Sequence, residues 1–331
     1  MWRHLQRNTG LTDMHTQTAS KSPFHAGEQA LQSAIGKRER MEAFGQKVIR
    51  DHMPDQHREF YTQLPFLVLG SVDTDQNPWA TLVTGETGFV HSPDAQTLQV
   101  SATTKPGDRA TSALSRGAPI GCLGIELHTR RRNRVNGRIR SLDAEGFTME
   151  VDQAFGNCPQ YIQARSLAFV DQPQVNLDAE TFTNLPQSAT SMIQGADTFF
   201  VASAVPAEAN PEVEGVDVSH RGGRPGFVRV KGNTLTIPDF RGNNHFNTLG
   251  NFVINPKAGL VFPDFASGNL LQLTGTVTLL DDTHPDVEHF VGAERAWQVE
   301  VTQGQWLYGA LPFSFGPPEV SPRNAQTGVW A

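Results

Sequence analysis

Gly85-Glu-Thr-Gly-Phe-Val90 returns further along the chain as Gly223-Arg-Pro-Gly-Phe-Val228. The likeness continues downstream. Thr97-Leu-Gln-Val100 matches Thr234-Leu-Thr-Ile237, and each is followed by a turn-rich segment containing Gly107-Asp108 or Gly242-Asn243. Leu114 to Gly121 and Phe252 to Gly259 each span seven positions, while Gly121 to Gly137 and Gly259 to Gly275 each span sixteen. Matched intervals of this kind indicate a tandem duplication, and internal self-similarity outranks other fold signals. From Phe66 onward the apolar residues recur with a period of two, so the repeated unit is all-β.

Bulk properties agree with two units. A chain of 331 residues exceeds what one core serves, and 38% hydrophobic residues suffice for two cores. The net charge of -7 argues against general nucleic-acid affinity, which needs a basic footprint, so any anion site must be local. Cys122 and Cys158 lie far apart without metal-ligand spacing, which suits a reducing cytoplasm, the expected location. No apolar run reaches membrane-spanning length. Met1 to Lys21 is polar and lacks the apolar core of a secretory signal, so a disordered leader is expected there.

The organisation read from the chain has five parts. After the leader comes a helical extension over 22–62, in which Met41, Phe44, Val48 and Ile49 recur at three- and four-residue steps. A first barrel spans 63–170 and opens with the strand Phe66 to Val72 and its hairpin partner Trp79 to Val83. Gln153 to Arg165 is read as a helix at its end. A polar, proline-punctuated linker covers 171–187. A second barrel with an irregular C-terminal tail fills 188–331. Small barrels pack their interiors with side chains, so a ligand is expected between the two units rather than inside either.

Two loops carry the candidate chemistry. Asp217-Val-Ser-His-Arg-Gly-Gly sets Ser219 and Arg221 on one strand face and His220 on the other. Pro238-Asp-Phe-Arg-Gly-Asn-Asn-His-Phe-Asn-Thr248 brings amides and hydroxyls to the start of a short helix, the pattern that holds a phosphate without a Gly-rich loop. The same residues also build ordinary turns. The matching loop of the first unit, Ser101 to Arg109, includes Lys105 and offers a second or vestigial anion site. The run Arg130 to Arg134 is read as a solvated edge or a salt-bridged contact between barrels in preference to a phosphate clamp. Cys158 is read as a small apolar residue rather than a redox thiol.

The stretches Leu64 through Trp79-Ala80, Gly85 to Val90, Arg130 to Gly137, Ala154 to Ile162, Val218 through Phe227, Ile237 to Asn243 and Asn247 to Asn251 together resemble the pyridoxamine 5'-phosphate oxidase-like, FMN-binding split-barrel family. The likeness is to its two-barrel bacterial branch. It implies a mainly β fold of tandem split barrels forming a pseudo-dimer, with FMN in the cleft between them. Carried across, Ser219, His220, Arg221, Asp239, Asn243, Asn244, Asn247 and Thr248, with Trp79 and Lys105 from the first unit, are the expected cofactor contacts. Asn and Thr stand in the phosphate loop where the family uses Arg and Lys. The resemblance implies a flavin-dependent oxidoreductase acting on a small planar substrate. NAD(P)H or a reductase would be the electron donor, and a homodimer is allowed. The alternative is a non-catalytic module that binds or stores flavin or haem.

Overall fold

The computed structural model describes residues 22–102, 106–170, 179–209 and 214–330. Three helices come first: α1 (Ala26–Ala34), α2 (Arg38–Val48) and α3 (Asp55–Thr62). The first unit then lays down β1 (Phe66–Val72), β2 (Pro78–Thr84), β3 (Val90–Asp94), β4 (Thr97–Val100), helix α4 (Arg109–Ser112), β5 (Pro119–Glu126), β6 (Arg131–Asp143) and β7 (Gly146–Asn157). A short β8 (Leu167–Phe169) and β9 (Glu180–Phe182) lead to helix α5 (Gln187–Gly195). The second unit holds β10 (Thr198–Val205), β11 (Gly215–Gly222), β12 (Arg229–Lys231), β13 (Thr234–Phe240), helix α6 (Asn247–Ile254), β14 (Lys257–Pro263), β15 (Leu270–Leu280), helix α7 (Pro285–Glu288) and β16 (Ala293–Leu307). Strand β17 (Phe313–Phe315) and a 3-10 turn (Pro322–Gln326) follow. Among the described residues no helix is long and apolar enough to cross a membrane.

The duplication is explicit in the strand order. The first sheet runs β2-β1-β5-β6-β7-β4-β3 and the second β11-β10-β14-β15-β16-β13-β12, antiparallel throughout, with β9 added beside β16. The path of each sheet stays open between its two end strands, so each unit is a split barrel. Register equates the units residue by residue. Gly70 pairs with Gly121, which pairs with Asn136; Ala202 pairs with Gly259, which pairs with Thr274.

The strands β1 and β10 read as unbroken apolar runs because both of their faces are buried. Leu67 and Leu69 face the core of the first unit, and Phe199 and Val201 that of the second. The alternate residues Phe66, Val68, Phe200 and Ala202 meet in a third core between the units. Two glycines set how closely the units approach. A Cβ on Gly121 would lie 2.5 Å from the carbonyl oxygen of Val216, and one on Gly259 would lie 2.4 Å from that of Pro78. Both contacts are the same contact seen from either unit, as an isologous pseudo-twofold interface requires. Gly259→Ala is therefore expected to lower stability by about 1–3 kcal/mol, because backbone rather than a flexible side chain blocks the methyl group. An unchanged urea midpoint would refute this.

Two sequence readings fail. Residues 153–157 are not helical: β7 continues through Gly156 to Asn157, laddered to β6 as far as Arg132↔Asn157, and 158–165 follows as irregular chain. The ladder to a long partner strand outweighs the local pattern, and Pro159 bars further pairing. The tail is not wholly irregular either, since β17 pairs with β8 and inserts Phe313 into the core between the units. The leader and residues 171–178 of the predicted linker lie outside the described residues.

Candidate functional site

Strand β11 alternates as predicted, with Asp217, Ser219 and Arg221 on one face and His220 buried on the other. The first face looks toward β6 of the neighbouring unit, where Arg134 is only 3% exposed. Arg134 Nη1 donates to Asp217 Oδ1 at 2.9 Å, and its Nη2 donates to Ser219 Oγ. Asn136 (2.7 Å) and Asn251 (3.1 Å) also donate to the Asp217 carboxylate. The Nε of Arg134 is buried without a partner, and its guanidinium lies 5.3 Å from the Phe155 ring centre.

Arg134 and Ser219 line a cavity of about 130 Å³ between the two units. Arg132 enters beside Arg134 and donates from Nε to the Cys158 carbonyl at 2.7 Å. Burial, followed by the charge of Arg134, pulls its pKa down to about 10, so it stays cationic at neutral pH. Arg221 pairs with Asp239 at 2.8 Å, and Arg295 reaches the same carboxylate at 3.2 Å. Arg295 also meets Glu294 at 3.3 Å. Arg134 has Asp217, and Arg221 and Arg295 have Asp239 and Glu294. Among the described residues Arg132 has no carboxylate. Among the described residues the arginines around the cavity therefore outnumber their carboxylate partners by one.

The N-terminus of α6 borders this cavity through Asn247, Thr248 and Leu249. Its N-cap residue, Phe246, is left-handed (φ 64°) and supplies no side-chain cap for the first amides. Thr248 Oγ1 donates to Ser219 Oγ at 3.1 Å. Asn247 turns away and donates to Glu28 Oε1 at 2.5 Å. Glu28 comes from α1 and is buried; burial, reinforced by Asp217, raises its carboxyl to about 8. Asn243 accepts from the His245 amide at 3.1 Å, an Asx turn that shapes the loop. His220 and His245 are both depressed, first by burial, His245 to about 4. Both shifts favour the neutral imidazole.

Eight of the ten predicted contacts, all those of the second unit, thus line one cavity. Trp79 does not. It is buried on β2, with its indole N–H on Asp73 at 2.8 Å and Arg109 over the ring. Lys105 lies outside the described residues. The arginine run divides. Arg134 makes the salt bridge between units that was expected, but it and Arg132 also line the cavity. Arg130, at φ 61°, turns outward to Glu319. Glu28, Tyr161 and Arg295 were missed. Glu28 and Arg295 reach the site from elements that carry no motif, while Tyr161 lies in the Ala154 to Ile162 stretch, from which no contact is predicted.

The pseudo-twofold places a second cleft across the molecule, and it is filled. Register makes Gln272 the counterpart of Arg134, and Thr81 the counterpart of Ser219. Between them lies the buried carboxylate of Asp108. It accepts from the Ala110 amide (2.9 Å), the Thr111 amide (3.4 Å), Thr81 Oγ1 (2.5 Å) and Gln272 Nε2 (2.9 Å). Gln305 closes the network on Gln272 and on the Gly107 carbonyl. One half of the protein thus holds its own carboxyl group, whose pKa burial raises, on a helix N-terminus, a strand hydroxyl and a β-strand donor. The other half presents the same three groups with arginine in place of glutamine and no internal carboxylate at the helix N-cap.

No family model and no curated protein matches the chain. Among solved structures, HupZ from Group A Streptococcus is similar at 13% identity and TM-score 0.30, over 37% of this chain and 99% of that one. A candidate pyridoxamine 5'-phosphate oxidase from Lactobacillus delbrueckii follows at 14% and 0.26, over 32% and 95%. A candidate 5-nitroimidazole antibiotic resistance protein from Bacteroides thetaiotaomicron is similar at 13% and 0.26, over 43% and 92%. Scores this low leave the chemistry to be read from the chain's own residues.

Proposed function

We propose that the protein binds FMN in the open cleft between its two units and works as a flavin-dependent oxidoreductase. The observation that carries the reading is the filled cleft. Asp108 serves as an internal template for an anion, and the corresponding position in the open cleft meets Arg134, Ser219 and the uncapped start of α6. A phosphate suits that position because several aligned donors and a desolvated guanidinium favour a compact, multiply charged acceptor. Arg132 would balance its second charge. The Asn and Thr of the loop are then no defect, since the cations come from β6 of the other unit.

When bound, the flavin supplies the electron exchange. The chain's residues bind and orient. Arg134 is held in place by Asp217, and Ser219 by Thr248, so neither donor must reorganise on binding. Tyr161 and Phe240, with ring centres 5.2 Å apart, give the cleft an aromatic wall, and Gln160 and Asn244 add amides. The small planar substrate remains to be identified.

The test is retention. Full-length protein incubated with FMN and desalted should keep flavin absorbance at one FMN per chain, because the second cleft is occupied by Asp108, Gln272 and Gln305. Bleaching by NAD(P)H or by a reductase would follow. A column eluate without flavin would end the proposal. Retained flavin that no reductant bleaches would instead support the carrier reading, which the depressed histidines favour by leaving the site short of proton carriers.

A further inference from the structure

A second chamber of about 740 Å³ opens beside the first, and the two share Gln160, Tyr161, Gly242, Asn243, Asn244 and Glu294 as a common wall. Its outer walls bring together Lys37, Arg40, Arg241 and Arg323. None of the four makes a side-chain hydrogen bond or ion pair among the described residues. Glu294 is the one carboxylate lining the chamber, and Arg295 already meets it. Four cations without a carboxylate partner among the described residues therefore line one concavity in a chain whose net charge is -7. Surface charges of a soluble protein are normally interspersed by sign, and like charges gathered around a hollow repel unless an anion sits there.

The origin of these residues is equally informative. Arg241 follows β13 of the second unit, but Lys37 and Arg40 come from the start of α2, and Arg323 from the 3-10 turn near the C-terminus. Segments from both ends of the chain, outside the duplicated sheets, converge on the open cleft. Met41 and the half-exposed ring of Phe44 complete the lining with apolar surface.

We infer that this outer chamber binds a phosphorylated small molecule carrying at least two negative charges and an aromatic or apolar part, of which a nucleoside diphosphate is the simplest example. The volume falls in the range of small-molecule sites. The cations recognise the diphosphate and steer it by long-range attraction, while Phe44 and Met41 take the apolar portion. The inference deepens the flavin reading by naming the class of molecule that approaches the inner cavity. It rests on that reading for any redox role, but not for binding.

Adenosine diphosphate, which has no redox chemistry, is therefore the probe. Titrated calorimetrically into full-length protein at low salt, it should bind, weaken as salt rises, and bind far more tightly than adenosine. Arg40 and Arg323 are exposed, so the double variant Arg40→Glu/Arg323→Glu should fold normally, as circular dichroism can verify, and lose ADP affinity by roughly tenfold or more. FMN retention by that variant should be unchanged. If wild-type protein ignores ADP, or if the double variant binds it as well as wild type, the assignment is overturned. ADP binding in protein that cannot retain FMN would sink the flavin reading and leave this site standing.

Discussion

Arg134→Gln should abolish FMN retention and destabilise the protein together. The substitution converts the open cleft to the chemistry of the closed one, where Gln272 already stands at the equivalent register position. Two losses are combined. The ligand phosphate loses a desolvated guanidinium, worth about 2–5 kcal/mol when one partner of a buried charged hydrogen bond is truncated, or at least about 30-fold in affinity. Asp217 loses its ion-pair partner while remaining largely buried, which costs about 3–5 kcal/mol. Asn136 and Asn251 still donate to Asp217, so the lower end of that range is expected. The second loss is separable from the first. Adding Asp217→Asn removes the stranded charge and should recover most of the stability without recovering FMN. Urea unfolding and FMN titration on the single and double variants measure the two effects. Undiminished FMN affinity in Arg134→Gln would remove the phosphate from this position altogether.

Glu28→Gln is expected to reshape the pH dependence of stability. Burial and the neighbouring charge of Asp217 lift the folded-state pKa to about 8, against the ordinary 4.5. The folded protein thus holds the proton more tightly than the unfolded chain. This contribution is fully present below about pH 4.5, declines as pH rises toward 8, and is gone above it. At 1.36 kcal/mol per unit the whole decline is at most about 5 kcal/mol. Glutamine cannot ionise; its Oε1 can still accept from the His25 amide, and its Nε2 can donate to the Oδ1 of a flipped Asn247 amide. The variant should lose that slope and be more stable than wild type at pH 9 by about 2–4 kcal/mol. FMN affinity should move in parallel. Ionised Glu28 places a negative charge near Arg134, so wild-type affinity is expected to weaken through pH 8 and the variant's to stay level. Parallel pH–stability curves for the two proteins would show that Glu28 is not the titrating group.

Much of the fold was legible because its signals are local or repeat. The matched intervals from Gly85 to Gly137 and from Gly223 to Gly275 reflect strands and turns that recur in the same order, and the apolar run Phe66 to Val72 is a doubly buried strand, as is its counterpart β10 in the second sheet. The β11 face and the α6 loop were legible for the same reason: alternation places Ser219 opposite His220, and donors before a short helix mark an anion site. The reading of 153–165 as helix failed because strand pairing is a long-range choice. Nothing in Gln-Ala-Phe-Gly-Asn announces that β6 lies alongside it.

By itself, then, the sequence determined a duplicated all-β architecture and the loop that lines the cavity. It could not determine which of the two clefts is open. That depends on Arg134 facing Ser219 across 85 positions and on Gln272 facing Asp108 across 164. It also depends on the side-chain amide of Asn247, at the cavity wall, donating to a buried carboxyl 219 positions away. Only the tertiary structure decided these matters. Charge balance in a buried site is set by whichever side chains the packing brings within hydrogen-bond reach, and spacing along the chain does not encode that.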